Sequence, residues 1–203
     1  MIEEYTLNGS GWARFSPDEK HRYRLGRMIR ALDADTARDF WITRHIELRR
    51  VVFLMLNPST ANAFKPDPTV SRCIKFASMW GADIVEVVNL FSLRSTQPAA
   101  LYDGARVAPG QCGDYSHAWR STVGGDPTND EQIIDACRGA HRVIAAWGNH
   151  GELANRGADV AAMLAREGVK LEALRILSNG NPSHPLARGK AFISYETAPV
   201  GFA

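Results

Sequence analysis

The stretch Val51–Asn62, VVFLMLNPSTAN, decides the fold. Val51 to Leu56 is an unbroken apolar run, the pattern of a strand covered on both faces in a parallel sheet. Pro58 has no N–H to give to a ladder, so the strand ends at Asn57-Pro58 and opens into a loop of small residues. In an open α/β sheet, ligands bind beyond the carboxyl ends of the strands, which is where chemistry would put Asn57. A second reading stands beside it: Asn-Pro also initiates turns, and Asn57 would then only shape the loop.

The same type of segment recurs outward from this one. Asp83–Leu90 (DIVEVVNL), Arg142–Trp147 (RVIAAW) and Leu171–Leu177 (LEALRIL) read as three more core strands. Between the first two, Asp67-Pro68 opens a helix as N-cap and first-turn proline. Val70, Cys73, Ile74, Ala77 and Trp80 follow at helical spacing, and Gly81 stops it. Thr128 with Glu131 reads as a capping box for a second helix carrying Ile133, Ile134 and Cys137 inward. Leu153, Val160, Met163 and Leu164 mark a third, closed by Gly168. Strands alternating with helices imply right-handed crossovers. The expected fold class is α/β, a three-layer α/β/α sandwich around a central, mainly parallel four-stranded sheet. Tyr23, Leu25 and Met28, then Phe40, Ile42 and Ile46, read as an N-terminal antiparallel hairpin flanking that sheet. Phe91 to Gly125 lacks periodicity and reads as a long functional excursion.

With 203 residues and 45% apolar content, the chain suits a single domain, 1–203. Its expected parts are an extension and hairpin (1–49), an α/β core (50–190) and a tail (191–203). There is no apolar run of membrane-spanning length, and the polar start is unlike a signal peptide. Cys73, Cys112 and Cys137 form no CxxC pair, which disfavours a zinc or iron–sulfur centre and fits a cytoplasmic protein with reduced thiols. No cofactor is implied. A formal charge of +2 excludes a strong global pull on nucleic acid. Basic residues nevertheless cluster between Lys20 and Arg50, either as a phosphate-binding face or as the solvated side of the hairpin.

The polar motifs fall at the four strand ends. Asn57, Pro58, Ser59 and Thr60 follow the first strand, and Asn89 and Arg94 close the second. Asn149 and His150 follow the third; Asn181, Ser183 and His184 follow the fourth. In a parallel sheet these ends share one edge, so residues distant in sequence converge. His150 is a candidate general acid, the alternative being a helix N-cap at Asn149 with an incidental histidine. Asp130 is either helix-start chemistry or a general base. Among the tryptophans, Trp80 sits at core spacing, while Trp119 is the better candidate to stack on a base.

The motifs LNPSTAN, DPTVSRCIKFASMWG, VVNLFSLRST, AWGNHG and NPSHPL resemble a bacterial and phage family, domain of unknown function 1643, from about Arg22 to Leu186. In their order they also resemble, more distantly, the uracil-DNA glycosylase superfamily, especially its mismatch-specific branch. MLNPS (55–59), VVNLFSLR (87–94), VIAAWGNH (143–150) and SHPL (183–186) stand where that branch carries its four motifs. The resemblance implies a uracil-DNA-glycosylase-like fold and an enzyme that hydrolyses the N-glycosidic bond of a modified or mispaired base in DNA. It implies that Asn57 orients the attacking water and His184 stabilises the departing base. Pro58, Ser59, Thr60, Asn89, Arg94, Asn149, His150, Asn181 and Ser183 would be its substrate-binding neighbours. Two departures stand out: Met55 replaces the glycine that opens the first motif, and the last loop reads Ser-His-Pro-Leu. Leu186 is the nearest candidate for an apolar wedge into a duplex, and ordinary packing is its plainer reading. Two other readings are a hydrolase or transferase on free modified nucleotides, and a non-catalytic nucleic-acid or nucleotide binder. The partner is accordingly DNA or a nucleotide, with no membrane.

Overall fold

The computed structural model describes residues 1–6, 10–29, 48–102 and 117–202. Among these residues eight strands form one mixed sheet: β1 (Ile2–Tyr5), β2 (Gly11–Phe15), β3 (Arg22–Met28), β4 (Arg50–Met55), β5 (Ile84–Asn89), β6 (Arg142–Ala145), β7 (Leu171–Ala173) and β8 (Val200–Phe202). Their spatial order is β1-β2-β3-β5-β4-β6-β7-β8. β4 runs parallel to both β5 and β6, and β6 runs parallel to β7. Every other pairing is antiparallel. The sheet is therefore larger than the expected four strands, and mixed.

Four helices are present among the described residues: α1 (Pro68–Met79), α2 (His117–Val123), α3 (Pro127–Cys137) and α4 (Arg156–Arg166). They lie on both faces because the chain reverses direction at β4. It steps to β5 on one side through α1, then crosses to β6 on the other through α2 and α3. Alternation along the strands keeps the two cores apart. Val51, Phe53, Met55, Val85 and Val87 meet α1 through Val70, Cys73, Phe76 and Ala77. Val52, Leu54, Val88, Val143 and Ala145 meet α2, α3 and α4 through Trp119, Ile133, Val160 and Leu164. Both faces of β4 are thus dry, which is why its sequence is apolar without alternation.

The ends of α1 follow sequence chemistry. The Asp67 side chain accepts from the Val70 N–H at 2.8 Å, Pro68 occupies the first turn, and Gly81 takes the left-handed conformation past the end (φ +68°). The other helix start differs from expectation. Asp126, not Thr128, caps α3, accepting from Asn129 N–H at 3.2 Å, and Pro127 takes the first turn. Asp-Pro repeats the device used at α1, and the capping-box reading placed the start two residues late.

The N-terminal region also differs. β3 pairs with β2 on one side and with β5 on the other, so the antiparallel hairpin is built from residues 11–28 rather than from 23–46. Phe40, Trp41, Ile42 and Ile46 lie outside the described residues. Arg22, Arg24 and Arg27 of β3 are buried, not a solvated face. The expected tail contributes β8, which closes the β7 edge. Part of the 91–125 excursion is helix α2. Its Trp119 is buried, donates to Leu101 O at 3.1 Å and packs edge-on against Phe91, so it is a core residue and not a stacking platform. Trp80 stacks on Phe53 and Phe76 in the opposite core. Among the described residues, no helix is long and apolar enough to cross a membrane.

Candidate active site

β4 is the strand from which the chain turns first to one side and then to the other, and a crevice opens beyond such a switch point. A cavity of about 420 Å³ lies there, against the N-terminus of α1. Met55, Leu56 and Asn57 enter it from β4, Val87 and Asn89 from β5, and Trp147 to His150 from the end of β6. His184 joins them from the loop after β7, and Arg22 from the start of β3. Six of the expected site residues therefore share one cavity: Asn57, Ser59, Asn89, Asn149, His150 and His184.

Asn57 is oriented by backbone. Its amide nitrogen donates to Ser95 O at 2.9 Å and Pro58 O at 3.2 Å, with Leu93 O at 3.5 Å. Three carbonyls around one end fix which end is nitrogen. The carboxamide oxygen has no hydrogen-bond partner among the described residues and remains an acceptor for a water or ligand.

His184 is fixed in the same way. Its Nδ1 accepts from Leu186 N–H at 3.1 Å, so the proton of the neutral ring sits on Nε2. Burial lowers its pKa, and the negative charge of Asp67 opposes that shift only in part. The ring is then a neutral donor at pH 7. Leu186 meets His184 through its backbone and is partly buried, which makes it a support for the ring.

Asn89 is 1% exposed, and its amide nitrogen has no hydrogen-bond partner among the described residues. A buried amide left unpaired costs about 1–3 kcal/mol, which a ligand acceptor would recover. Its backbone is held from behind, since Asn129 Nδ2 donates to Asn89 O at 3.0 Å and Leu90 O at 3.1 Å. His150 is exposed and shares a 3.0 Å hydrogen bond with the Tyr102 hydroxyl. Gly148, not Asn149, holds the N-cap position of the following short 3₁₀ turn, Asn149–Asn155, and the Asn149 carboxamide accepts from Asn179 Nδ2 at 3.2 Å.

The remaining expected residues do not line the cavity. Pro58 is buried and Thr60 exposed. Arg94 lies over the Phe15 ring at 4.9 Å and donates to Glu19 O at 3.0 Å. Asn181 donates to Glu152 Oε1 at 2.6 Å, and Ser183 is buried with its N–H on Arg175 O at 2.8 Å. These last two shape the loop that presents His184. Asp130 pairs with Arg156 and is not a base in the cavity.

Sequence reasoning missed Arg22, Asp67, Thr69 and Trp147 as lining residues. Asp67 was legible as a helix cap, and the same position puts it on the cavity wall. Trp147 is 3% exposed, its indole N–H has no partner among the described residues, and Phe202 of β8 meets its ring edge-on at 5.4 Å. Gly151 is required beside it, since a Cβ there would stand 1.9 Å from Trp147 Cδ1. Among the described residues no cluster of three metal-ligating side chains occurs.

Compared with known families, residues 22–186 match the one described as Protein of unknown function (DUF1643). No curated protein and no solved structure matches the chain.

Proposed function

The chain belongs to the DUF1643 family, and from the cavity it carries we propose a uracil-DNA-glycosylase-like hydrolase that cleaves the N-glycosidic bond of a modified or mispaired base in DNA. One observation carries the proposal: an Asn57 acceptor and a His184 Nε2–H donor, each locked from behind by backbone, open on the same cavity as the unpaired Asn89 amide. Breaking a base–sugar bond develops positive charge on the sugar and negative charge on the departing base. Asn57 Oδ1 accepts from a water and so aims the water's lone pair at the sugar carbon; the carbon–oxygen bond forms as the base–sugar bond breaks, and the water's proton passes to the departing base anion. A carboxamide is a weaker base than a carboxylate, so the reaction favours bases that leave readily. Neutral His184 donates from Nε2 to the base as charge develops there, a preorganised contact of the oxyanion type. Asn89 offers a donor and an acceptor to the base edge. Extrusion costs least for damaged, mispaired or single-stranded bases, which suits a chain with a small charge surplus.

A second reading, hydrolysis of free modified nucleotides, is favoured by the position of Arg22 inside the cavity rather than on the surface. The test is a base-release assay on oligonucleotides carrying uracil, G·T and G·U mismatches, 5-hydroxymethyluracil, hypoxanthine and alkylated bases, single- and double-stranded. Free nucleotides run alongside. Asn57→Ala should lower release by about two to three orders of magnitude. Release that survives the substitution removes Asn57 from the mechanism. No release from any substrate, with binding intact, identifies a non-catalytic binder.

A further inference from the structure

Arg22 is the charged group whose surroundings the protein leaves incomplete. It is 2% exposed, and its backbone N–H donates to Ser92 O at 2.9 Å, which seats it beside the carboxyl end of β5. Nη1 donates to Ala61 O at 2.8 Å, whereas Nε is buried with no partner among the described residues. No carboxylate of the described residues lies within 4.0 Å of it. Two other buried arginines are neutralised: Arg24 by Glu86 at 2.7 Å and by Asp135, and Arg156 by Asp130. Arg27 has no carboxylate either, but it bonds two backbone carbonyls, Gly26 O and Asn62 O, and does not line the cavity. Burial pushes the Arg22 pKa down to about 10, with the charge of Asp67 acting the other way, so the group is still cationic at neutral pH. Asp67 does not complete the pair: its Oδ1 caps α1 and neither of its oxygens comes within 4.0 Å of the guanidinium.

An uncompensated guanidinium in a low-dielectric wall is costly unless something anionic joins it. We propose that Arg22 is a phosphate subsite, holding the phosphate of the nucleotide whose base occupies the cavity. This assignment rests on reading the cavity as a nucleotide site. The planar fork matches two phosphate oxygens better than a single departing base atom. Ser59 and Thr69 line the same cavity, and their hydroxyls have no hydrogen bond among the described residues, so they can complete the oxyanion shell. The phosphate is either the 5′-phosphate of a free nucleotide or the backbone phosphate of an extruded one; the contact is the same.

Calorimetric titration with probes that carry no base tests this directly. The probes are 2-deoxyribose 5-phosphate, 2-deoxyribose, and a single-stranded oligonucleotide with one abasic site. Wild type should bind the sugar phosphate or the abasic strand, and Arg22→Gln should weaken that binding at least about tenfold. Arg22→Lys, which keeps the charge and loses the planar fork, should fall between. It carries the comparison if the Gln variant does not fold. Arg22-dependent binding of the sugar phosphate identifies a free nucleotide as the source, and of the abasic strand alone, a polynucleotide. Arg22→Gln binding both phosphate probes as wild type does overturns the subsite, as does wild type binding the sugar phosphate no better than the sugar and showing no affinity for the abasic strand. Because no probe has a base to release, a failed glycosidase reading leaves this result standing.

Discussion

At the scale of single residues, Asn57 and His184 share a design in which one end is held by backbone and the other is left for a ligand. For His184 this makes protonation state part of the structure. The folded ring has a lowered pKa because of burial, while in the unfolded chain it returns to about 6.5. Between those values the unfolded state holds more protons. His184 therefore costs no stability above about pH 6.5, and its cost grows as pH falls toward the folded pKa and then levels off. Protonation would also put a hydrogen on Nδ1, facing the Leu186 N–H. His21 is shifted the same way by burial, so the informative quantity is a difference between variants. Wild type should lose more Tm than His184→Gln between pH 7.5 and pH 5; parallel curves would mean that the ring is not held neutral. That Asn57, Asn89 and His184 fall at one sheet edge was legible in sequence, because each lies at or beyond the end of a strand-like run, a place sequence can name. Arg22 was not, because its role depends on which acids are missing around it, and only three-dimensional packing decides that.

At the scale of elements, β3 does the most to join the antiparallel and parallel parts of the sheet. Its Arg24 reaches across β5 to Glu86, and Arg50 of β4 approaches the other Glu86 oxygen at 3.6 Å. Glu86 is 2% exposed and lies on the α3 face, opposite the cavity side of β5. Glu86→Ala should cost about 3 kcal/mol, because it removes the buried partner of Arg24 and leaves that arginine only the half-exposed Asp135. A double replacement, Arg24→Met with Glu86→Leu, should recover most of that loss. Denaturant melts of the two variants check this, and base release per folded molecule should be unchanged in both. β4 to β7 were readable from their apolar runs, although β7 ends at Ala173 and not at Leu177, and α1 was readable from its Asp-Pro start. β1, β2 and β8 were not readable. They are short, with much of β1 and β8 exposed, and pairing to a neighbour rather than hydrophobic pattern makes them strands. The partner of β3 was misread for a related reason. Alternation marks a strand but does not say which distant strand it will meet.

At the scale of the whole molecule, the site is assembled from segments spread from Arg22 to His184, and β4 at the middle of the sheet is where they converge. The antiparallel pairing of β3 with β5 also fixes an order of events in time. β1, β2 and β3 pair with one another in chain order, so on the ribosome they can form a local meander as soon as they emerge. β3 then waits for β5, which begins 56 residues after Met28, at Ile84. At roughly 5–20 residues per second the wait is about 3–11 s. During it, the outer rim of β3 is an open template for a neighbouring nascent chain. The three arginines that later become buried are then in water, and their mutual repulsion protects that rim. Chains stalled before residue 84 should stay monomeric in low salt and associate when β3 carries Arg24→Val and Arg27→Val, whereas chains stalled well past residue 89 should be indifferent to the same changes. Crosslinking between translating ribosomes would read the difference. Charges that the finished sheet buries would first have served as a chaperone encoded in the chain itself.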